Sequence, residues 1–367
     1  MYNVTRVTVI IPAYNARATL GRTLQSVFDQ THRNLEIFVV DDGSTDSTPL
    51  LAERAACRDK RVIVLRQQNA GVAAARNLAL ARASGEYTAW LDADDLWHPT
   101  KIEKQLAVFA NAPEPPSFVY TGYRLIDTDD RILPNFRTLT DVSGHTLCRQ
   151  IATNFFSNVS SIMIPTELAR RFGGHDPRLR GWGIEGAEDL LLQLQLSTIG
   201  PAGCCPEALV GYRMHPHNMS RGHKRAARSN LRALDLIEEM DPDVPGWVFR
   251  LGRARTVGYV LHMLHGGDVA GARALLWCVL KRQPLYTLLT LVLIARWKLC
   301  AALGIGPQRD PEVGADFLQA DPARAPWHGH MLLTSWHRRR LDAADAARRE
   351  AIPQPATGTR SRRQKGI

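Results

Sequence analysis

The sequence predicts an α/β protein built on a mostly parallel sheet flanked by helices, and two observations carry that prediction. From residue 7 to about residue 212, short apolar runs alternate with stretches of helical periodicity, the order that doubly wound sheets impose. Two of those runs end abruptly in acids, Asp41-Asp42 and Asp92-Ala93-Asp94-Asp95, at the carboxyl edge where open α/β sheets bind ligands.

The first run, 7–11, stops at Pro12, and Leu20, Leu24, Val27 and Phe28 then recur at helical spacing. A second strand over 35–40 leads into Asp41-Asp42-Gly43-Ser44-Thr45-Asp46, and Pro49 suits the first turn of the helix that follows. A third strand at 62–65 precedes Asn69-Ala70-Gly71 and an alanine-rich helix over 72–83, which Gly85 stops. The next strand, 87–91, delivers the acidic cluster, and Pro99 opens a helix over 100–111 with Ile102, Leu106 and Phe109 facing inward. Residues 118–126 and 132–133 read as a hairpin around the Asp127-Thr128-Asp129-Asp130 turn, which makes the sheet mixed. Further strands are expected at 159–164 and 208–212, separated by a glycine-rich mobile loop over 173–186 and a helix over 187–199.

Beyond Ser220 the pattern is helical, with helices near 224–240, 247–265, 269–282 and 285–303 and breaks at Gly266-Gly267 and Pro284. The apolar run 285–295 is too short to cross a bilayer before Arg296 and Lys298 interrupt it. Two roles stay open for it: lying in a membrane interface, or packing in a small bundle or dimer seam. From about Pro307 the composition turns polar and rich in Arg, Ala, Pro and Gln, which predicts disorder. The expected organisation is a main α/β domain over 1–220, a helical extension over 221–306 and a polar, basic, disordered tail over 307–367.

Of the 367 residues 45% are apolar and 22% charged, an ordinary globular balance with ample core. The net charge of +10 is uneven: residues 1–220 carry 22 basic and 23 acidic side chains, residues 221–367 carry 24 and 13. An anionic contact for the second part follows, a membrane surface or nucleic acid, with a solvated basic tail as the alternative. Six cysteines, at 57, 148, 204, 205, 278 and 300, show no Cys-x-x-Cys spacing, and no basic stretch followed by an apolar segment opens the chain. A cytoplasmic protein with reduced thiols is expected.

Asp92 and Asp94 are two apart, so in an extended chain both side chains point to one face and can meet one ligand. Hard carboxylate oxygens favour Mg²⁺ or Mn²⁺. Asp-x-Asp also arises in solvated turns, so its context decides its meaning.

That context is specific. Ile10-Ile11-Pro12-Ala13-Tyr14-Asn15, then Val39-Val40-Asp41-Asp42-Gly43-Ser44-Thr45-Asp46, then Leu91-Asp92-Ala93-Asp94-Asp95 occur in this order, with Asn69-x-Gly71 and Ala75-Arg76-Asn77 between them. In these motifs the chain resembles the family 2 inverting glycosyltransferases of the GT-A fold, over roughly residues 5–220. The resemblance implies nucleotide-sugar contacts at Pro12, Tyr14, Asn15, Asp41, Asp42, Asn69, Gly71, Arg76, Asp92 and Ala93, with Pro12, Tyr14, Asp42 and Arg76 around the base. It implies that Asp92 meets the ribose or the metal and that Asp94 binds the metal on the diphosphate. Chemistry agrees for the base, since Tyr14 offers an aromatic platform and Asp42 can accept the imide N–H of uracil. Structural duties compete: Pro12 ends a strand, Asp41 braces a turn, Asp46 with Ser47 and Pro49 marks a helix start, and a helix-surface arginine is the lesser reading of Arg76.

Two later segments extend the resemblance. Gly186-Ala187-Glu188-Asp189-Leu190-Leu191 is similar to the family's Glu-Asp pair at a helix start, which implies Asp189 as catalytic base with Glu188 beside it. Acids also favour first helical turns for electrostatic reasons. Gly211-Tyr212-Arg213-Met214-His215 resembles the family's Tyr-Arg-x-His segment, which implies that His215, ahead of His217, completes the metal shell. The implied reaction is metal-dependent transfer, with inversion, from a nucleotide-diphosphate donor, a UDP-sugar in the first place, to a hydroxyl of a glycan or lipid-linked acceptor. A peripheral contact through 250–303 at the inner face of a membrane is expected; nucleic acid is not, and self-association is left open. The alternatives are a nucleotidyltransferase, against which the missing N-terminal Gly-x-Gly-x-x-x-Arg-type loop counts, and a non-catalytic scaffold using the basic half, against which the acids at 42, 92, 94 and 189 count.

Overall fold

The computed structural model describes residues 4–134, 142–155, 158–216, 218, 222–302, 310–324 and 335–351. The first half alternates as its periodicity demands: β1 (Val7–Ala13), α1 (Leu20–Phe28), β2 (Leu35–Asp41), α2 (Thr48–Arg58), β3 (Val62–Arg66), α3 (Val72–Leu80) and β4 (Tyr87–Trp90). After the acids come β5 (Leu96–Trp97), α4 (Lys101–Asn111), β6 (Phe118–Ile126), α5 (Leu147–Thr153), β7 (Ile162–Pro165), α6 (Thr166–Arg171), α7 (Arg178–Gly181), α8 (Glu188–Ile199) and β8 (Ala202–Arg213). The rest is helical: α9 (His223–Met240), α10 (Gly246–Arg255), α11 (Gly258–His265), α12 (Val269–Arg282), α13 (Pro284–Ala302) and α14 (Ser335–Ala351).

The eight strands form one sheet in the order β3-β2-β1-β4-β7-β6-β8-β5. β3, β2, β1 and β4 run parallel, whereas β7 is antiparallel to both β4 and β6, so the sheet is mixed as expected. β1 and β2 are buried along their whole length, which explains why both read as near-continuous apolar runs; the exceptions, Thr8 and Glu36, pair with each other, the Thr8 hydroxyl donating to Glu36 Oε2 at 2.7 Å. One face carries Val9, Ile11, Val39 and Leu91 against Leu20, Leu24 and Ala52 of α1 and α2. The other carries Ile10, Phe38, Val40 and Trp90 against Ala75 and Ala79 of α3 and Leu192 and Leu196 of α8.

Several boundaries differ from those expected. Of the 118–133 hairpin the structure keeps the tip: Ile126 bridges Ile132, the Asp127 N–H donates to the Arg131 carbonyl at 2.9 Å and the Leu133 N–H to the Leu125 carbonyl at 2.8 Å, while β6 pairs along the sheet with β7 and β8. The helix expected over 247–265 breaks between α10 and α11, where Thr256 and Val257 donate to carbonyls three residues back and tighten the turn. Of the tail expected to be disordered from 307, residues 310–324 and 335–351 are folded, and the remainder lies outside the described residues. Phe317 is buried among Leu96, Ile126 and Ile132, and the buried guanidinium of Arg124 pairs with Asp310 and Glu312, both at 2.8 Å. Polar composition hid these contacts because they are ionic and distant in sequence. Leu341 of α14 enters a core shared by Leu147, Ile151, Leu191 and Leu194 on one side of residue 220 and Ala233, Leu234 and Phe249 on the other.

Candidate active site

The site lies where β1, β2 and β4 end, beside the N-termini of α3 and α8. Tyr14 follows β1 and is 52% exposed, a free aromatic face at the sheet edge. Asn15 joins this loop to the next one: its Oδ1 accepts from the Thr45 N–H at 2.8 Å, and its own N–H donates to Ser44 Oγ at 3.0 Å. Asp41 Oδ1 accepts from the Ser44 N–H at 3.1 Å and so braces the turn, while Asp46 Oδ1 accepts from the Thr48 N–H at 2.9 Å at the start of α2.

Asp42 takes a duty the sequence did not show. Its Oδ1 accepts from Gln67 Nε2 at 2.7 Å and the Ala70 N–H at 2.8 Å, and its Oδ2 accepts from the Gly71 N–H at 2.9 Å. The carboxylate is therefore turned onto the loop that carries Asn69 and Gly71, and only 4% of the residue is exposed. Gly71 has a φ of +91°, so that position needs glycine; a Cβ there would also stand 2.9 Å from Arg180 Nη1, the end of a side chain that can give way. Arg180 Nη2 in turn donates to Asn69 Oδ1 at 2.7 Å, laying the 173–186 segment over this loop.

Arg76 is not a surface residue. It is 2% exposed and lies beneath the site, with Nη2 2.7 Å from Asp92 Oδ1, Nη1 2.6 Å from Asp189 Oδ1 and 3.7 Å from Glu188 Oε1. One guanidinium thus gathers three carboxylates from two distant segments. Burial alone would lower the guanidinium's affinity for its proton, but the charges of Asp189, Asp92 and Glu188 outweigh it and raise it. The carboxylates respond differently. Burial and the nearby charges of Asp189 and Asp94 push Asp92 up to about 6 against the pull of Arg76. Burial would also raise Asp189, yet Arg76, with His175, holds it below the usual carboxylate range. Glu188 is raised by burial and by the charge of Asp189, and its Oε2 accepts from the Gly186 N–H at 2.7 Å.

The residues from 91 to 95 form a turn rather than a continued strand, closed by the Asp95 N–H donating to the Asp92 carbonyl at 3.0 Å. Asp92 and Asp94 consequently part company: Asp92 goes to Arg76, and Asp94 Oδ2 lies 2.8 Å from His215 Nε2. That second contact exists because β5 pairs antiparallel with β8, Leu96 opposite Gly211 and Trp97 opposite Val210, which returns the chain beside the acidic turn. Asp95, buried, locks the join by accepting from Ser160 Oγ at 2.6 Å and from the Arg213 N–H at 3.0 Å. Arg213 Nε donates to the Asp94 carbonyl at 2.7 Å and its guanidinium pairs with Asp130. Ala93 is buried, its carbonyl accepting from Thr23 Oγ1 at 3.0 Å.

A divalent ion fits Asp94 and His215: one hard carboxylate and one imidazole, both partly open to solvent, leave the remaining positions for diphosphate oxygens and water, as Mg²⁺ and Mn²⁺ sites on nucleotides commonly do. Among the described residues no cluster of three or more His, Cys, Asp or Glu stands ready to hold an ion by itself. His217, the lesser alternative to His215, lies outside the described residues.

Three contributors were not among the site residues expected from the sequence, Asn77 included although it stands in the Ala75-Arg76-Asn77 motif. His175 is fully buried, edge-on to Trp90 with ring centroids 5.0 Å apart, and its Nε2 approaches Asp189 Oδ1 to 3.3 Å. Burial keeps it neutral by lowering its affinity for a proton, and its Nδ1 lacks a hydrogen-bond partner among the described residues. Asn77 clamps it in place, accepting from the His175 N–H at 2.9 Å and donating to its carbonyl at 2.7 Å. Ser160 Oγ, besides its bond to Asp95, accepts from the Asp92 N–H at 3.1 Å.

Comparison with known proteins gives the family. A sequence model described as glycosyl transferase family 2 matches residues 8–152. TuaG of Bacillus subtilis (strain 168), a glycosyltransferase named for teichuronic acid biosynthesis, is 43% identical over 245 residues, covering 66% of this chain and 92% of that protein. WfgD of Escherichia coli, named as a UDP-Glc:α-D-GlcNAc-diphosphoundecaprenol β-1,3-glucosyltransferase, is 38% identical over 124 residues, 34% of this chain and 47% of its own length. Among solved structures, the mannosyltransferase PcManGT of Pyrobaculum calidifontis shares the fold with a TM-score of 0.52 at 20% identity, over 95% of this chain and 88% of that one. With an α/β sheet of GT-A type and a relative of this identity matched along nearly its whole length, the chain belongs to glycosyl transferase family 2 and is a glycosyltransferase.

Proposed function

We propose that this protein is a metal-dependent, inverting hexosyltransferase that moves a sugar from a UDP-sugar to a hydroxyl of a lipid-linked or growing glycan in polysaccharide synthesis. The observation that carries the reading is the convergence of Asp92 and Asp189 on Arg76, with the Asp94–His215 pair on the same acidic turn. The uridine and lipid-linked parts lean on WfgD, whose name gives a UDP-glucose donor and a diphosphoundecaprenol-linked acceptor.

In this reading Tyr14 supplies the face on which the base stacks, and Asp42 shapes the 69–71 loop against which it lies. A Mn²⁺ or Mg²⁺ ion held by Asp94 and His215 would neutralise charge growing on the departing diphosphate. Asp189 takes the proton from the attacking hydroxyl. A general base must be ionised before it can act, and Arg76 keeps Asp189 so at neutral pH despite its partial burial. Glu188, raised and tied to the Gly186 N–H, shapes the start of α8 instead.

The test is release of nucleotide and formation of glycoside across a panel of nucleotide sugars, with Mn²⁺, with Mg²⁺ and with EDTA, using a diphospholipid-linked sugar as acceptor. Turnover with a UDP-sugar, loss with EDTA and an inverted anomeric signal in the product support the reading. Turnover unaffected by EDTA removes the metal, and a retained anomeric configuration removes Asp189 as the base.

A further inference from the structure

We infer that the outer face of α12 and α13 docks the enzyme on an anionic lipid bilayer. The inner faces of these helices are already satisfied: Ala272, Leu275 and Val279 pack with Val257, Val260 and Met263, and Leu293 and Ile294 are buried. What remains outside is a surplus. Val269 and Trp277 on α12, and Leu285, Leu288, Val292 and Leu299 on α13, are each more than half exposed. On α13 these positions recur at steps of three, four and seven residues, so they form one stripe rather than scattered exceptions. Among the described residues no helix is long and apolar enough to cross a membrane, which leaves lying in the interface as the mode of contact.

Charge selects the occupant. Between Asp268 and Asp310 the sequence has no acid and six basic residues, Arg273, Lys281, Arg282, Arg296, Lys298 and Arg309. Arg273, Lys281 and Arg282 are exposed on α12, and Arg296 and Lys298 on α13, beside the apolar stripe. Lys281 Nζ lies 5.0 Å from the centre of the Trp277 ring, the pairing of an interfacial aromatic with a cation that reaches headgroups. A second copy placed on this face would meet the same cations with no carboxylate on either helix to pair them, whereas anionic lipid offers the complement. Docking here also deepens the proposed function, since a lipid-linked acceptor is found at such a surface.

The experiment is co-sedimentation of the full-length protein with vesicles of phosphatidylcholine alone and with one third phosphatidylglycerol, containing no glycan lipid, at low and physiological ionic strength. Binding to the anionic vesicles, weakened by salt and by omission of phosphatidylglycerol, is expected. Lys281→Glu with Arg282→Glu should weaken it by more than about tenfold, each cation near a charged surface being worth about fivefold. Trp277→Glu with Leu288→Glu should abolish it while leaving the thermal unfolding transition in place. Failure to sediment with anionic vesicles at low salt overturns the proposal, as does undiminished binding by both double variants. A dimer in light scattering that Leu288→Glu dissociates overturns it too, giving the face to a second copy. Because no acceptor is present, each of these failures leaves the transfer reading standing.

Discussion

Arg76 Nη1 and Asp189 Oδ1 are 2.6 Å apart across 113 residues of sequence, and this contact ties the nucleotide half of the site to the carboxylate proposed as base. Replacing Asp189 with Asn keeps the shape and removes the basicity. Transfer should fall by a factor on the order of 10² to 10⁴ with UDP affinity by calorimetry unchanged. Glu188→Gln, whose parent acid bonds the Gly186 N–H, should cost far less in kcat. Normal transfer by Asp189→Asn would exchange the two roles or place the base elsewhere.

Arg76 itself is the cation of a buried cluster. Arg76→Met leaves Asp92, Glu188 and Asp189 facing one another without compensation. Breaking a buried ion pair in this one-sided way costs about 3–5 kcal/mol, so the urea midpoint should drop accordingly. An unchanged midpoint would mean that solvent already screens the three acids.

His175 touches Asp189 but is held neutral, which makes it a positioning residue. It helps keep Asp189 below the usual carboxylate range, so His175→Phe should move the acid limb of the kcat/KM profile to higher pH. The fully buried ring sits edge-on to Trp90, a place where an aromatic of similar shape fits. A profile that falls uniformly without shifting would reduce His175 to packing.

Asp94→Asn should remove nearly all transfer and also the stabilisation of UDP binding by Mn²⁺ in a calorimetric titration. His215→Ala should raise the Mn²⁺ concentration needed for half activation while retaining measurable turnover at saturation. If Mn²⁺ left UDP affinity unchanged in the parent enzyme, the Asp94–His215 assignment would fall.

Docking of α14 should depend on pH through Asp345, which accepts from the Cys148 N–H at 2.7 Å and the Arg149 N–H at 3.2 Å. Burial pushes its carboxyl from an ordinary 3.8 up to about 6, so the folded chain holds this proton more tightly than the unfolded one. Stability from this group is fully present below about 3.8 and is lost as pH rises through about 6. Hydrogen exchange in 335–351 should therefore be slower, relative to the intrinsic rate, at pH 5 than at pH 7.5, and Asp345→Asn should erase the difference. Equal protection at both pH values in the parent protein would assign the docking to the Arg348–Asp241 pair, at 2.6 Å, and to Leu341 instead.

Local pattern was enough for the scaffold and for naming half of the candidate site. Near-continuous apolar runs 7–11, 35–40 and 87–91 are what strands buried on both faces must contain, and the acids that end the second and third fall at the sheet's carboxyl edge. Tyr14, Asp42, Asp94 and Asp189 could be named because each belongs to a short motif with its own spacing. Tertiary structure decided what those residues touch. Asp92 and Asp94 were expected on one face of an extended chain; the turn at 92–95 sends one to Arg76 and the other to His215. His215 stands there only because Leu96 and Trp97 pair with Gly211 and Val210, and His175 only because Asn77 grips its backbone. Phe317, in a stretch whose composition read as disordered, is buried by residues near positions 96, 126 and 132. Periodicity reports whether a residue will be buried by its own strand or helix. It carries no information about which distant segment will supply the opposite charge or the missing wall, and in this protein those long-range pairings are what turn a row of acids into a site.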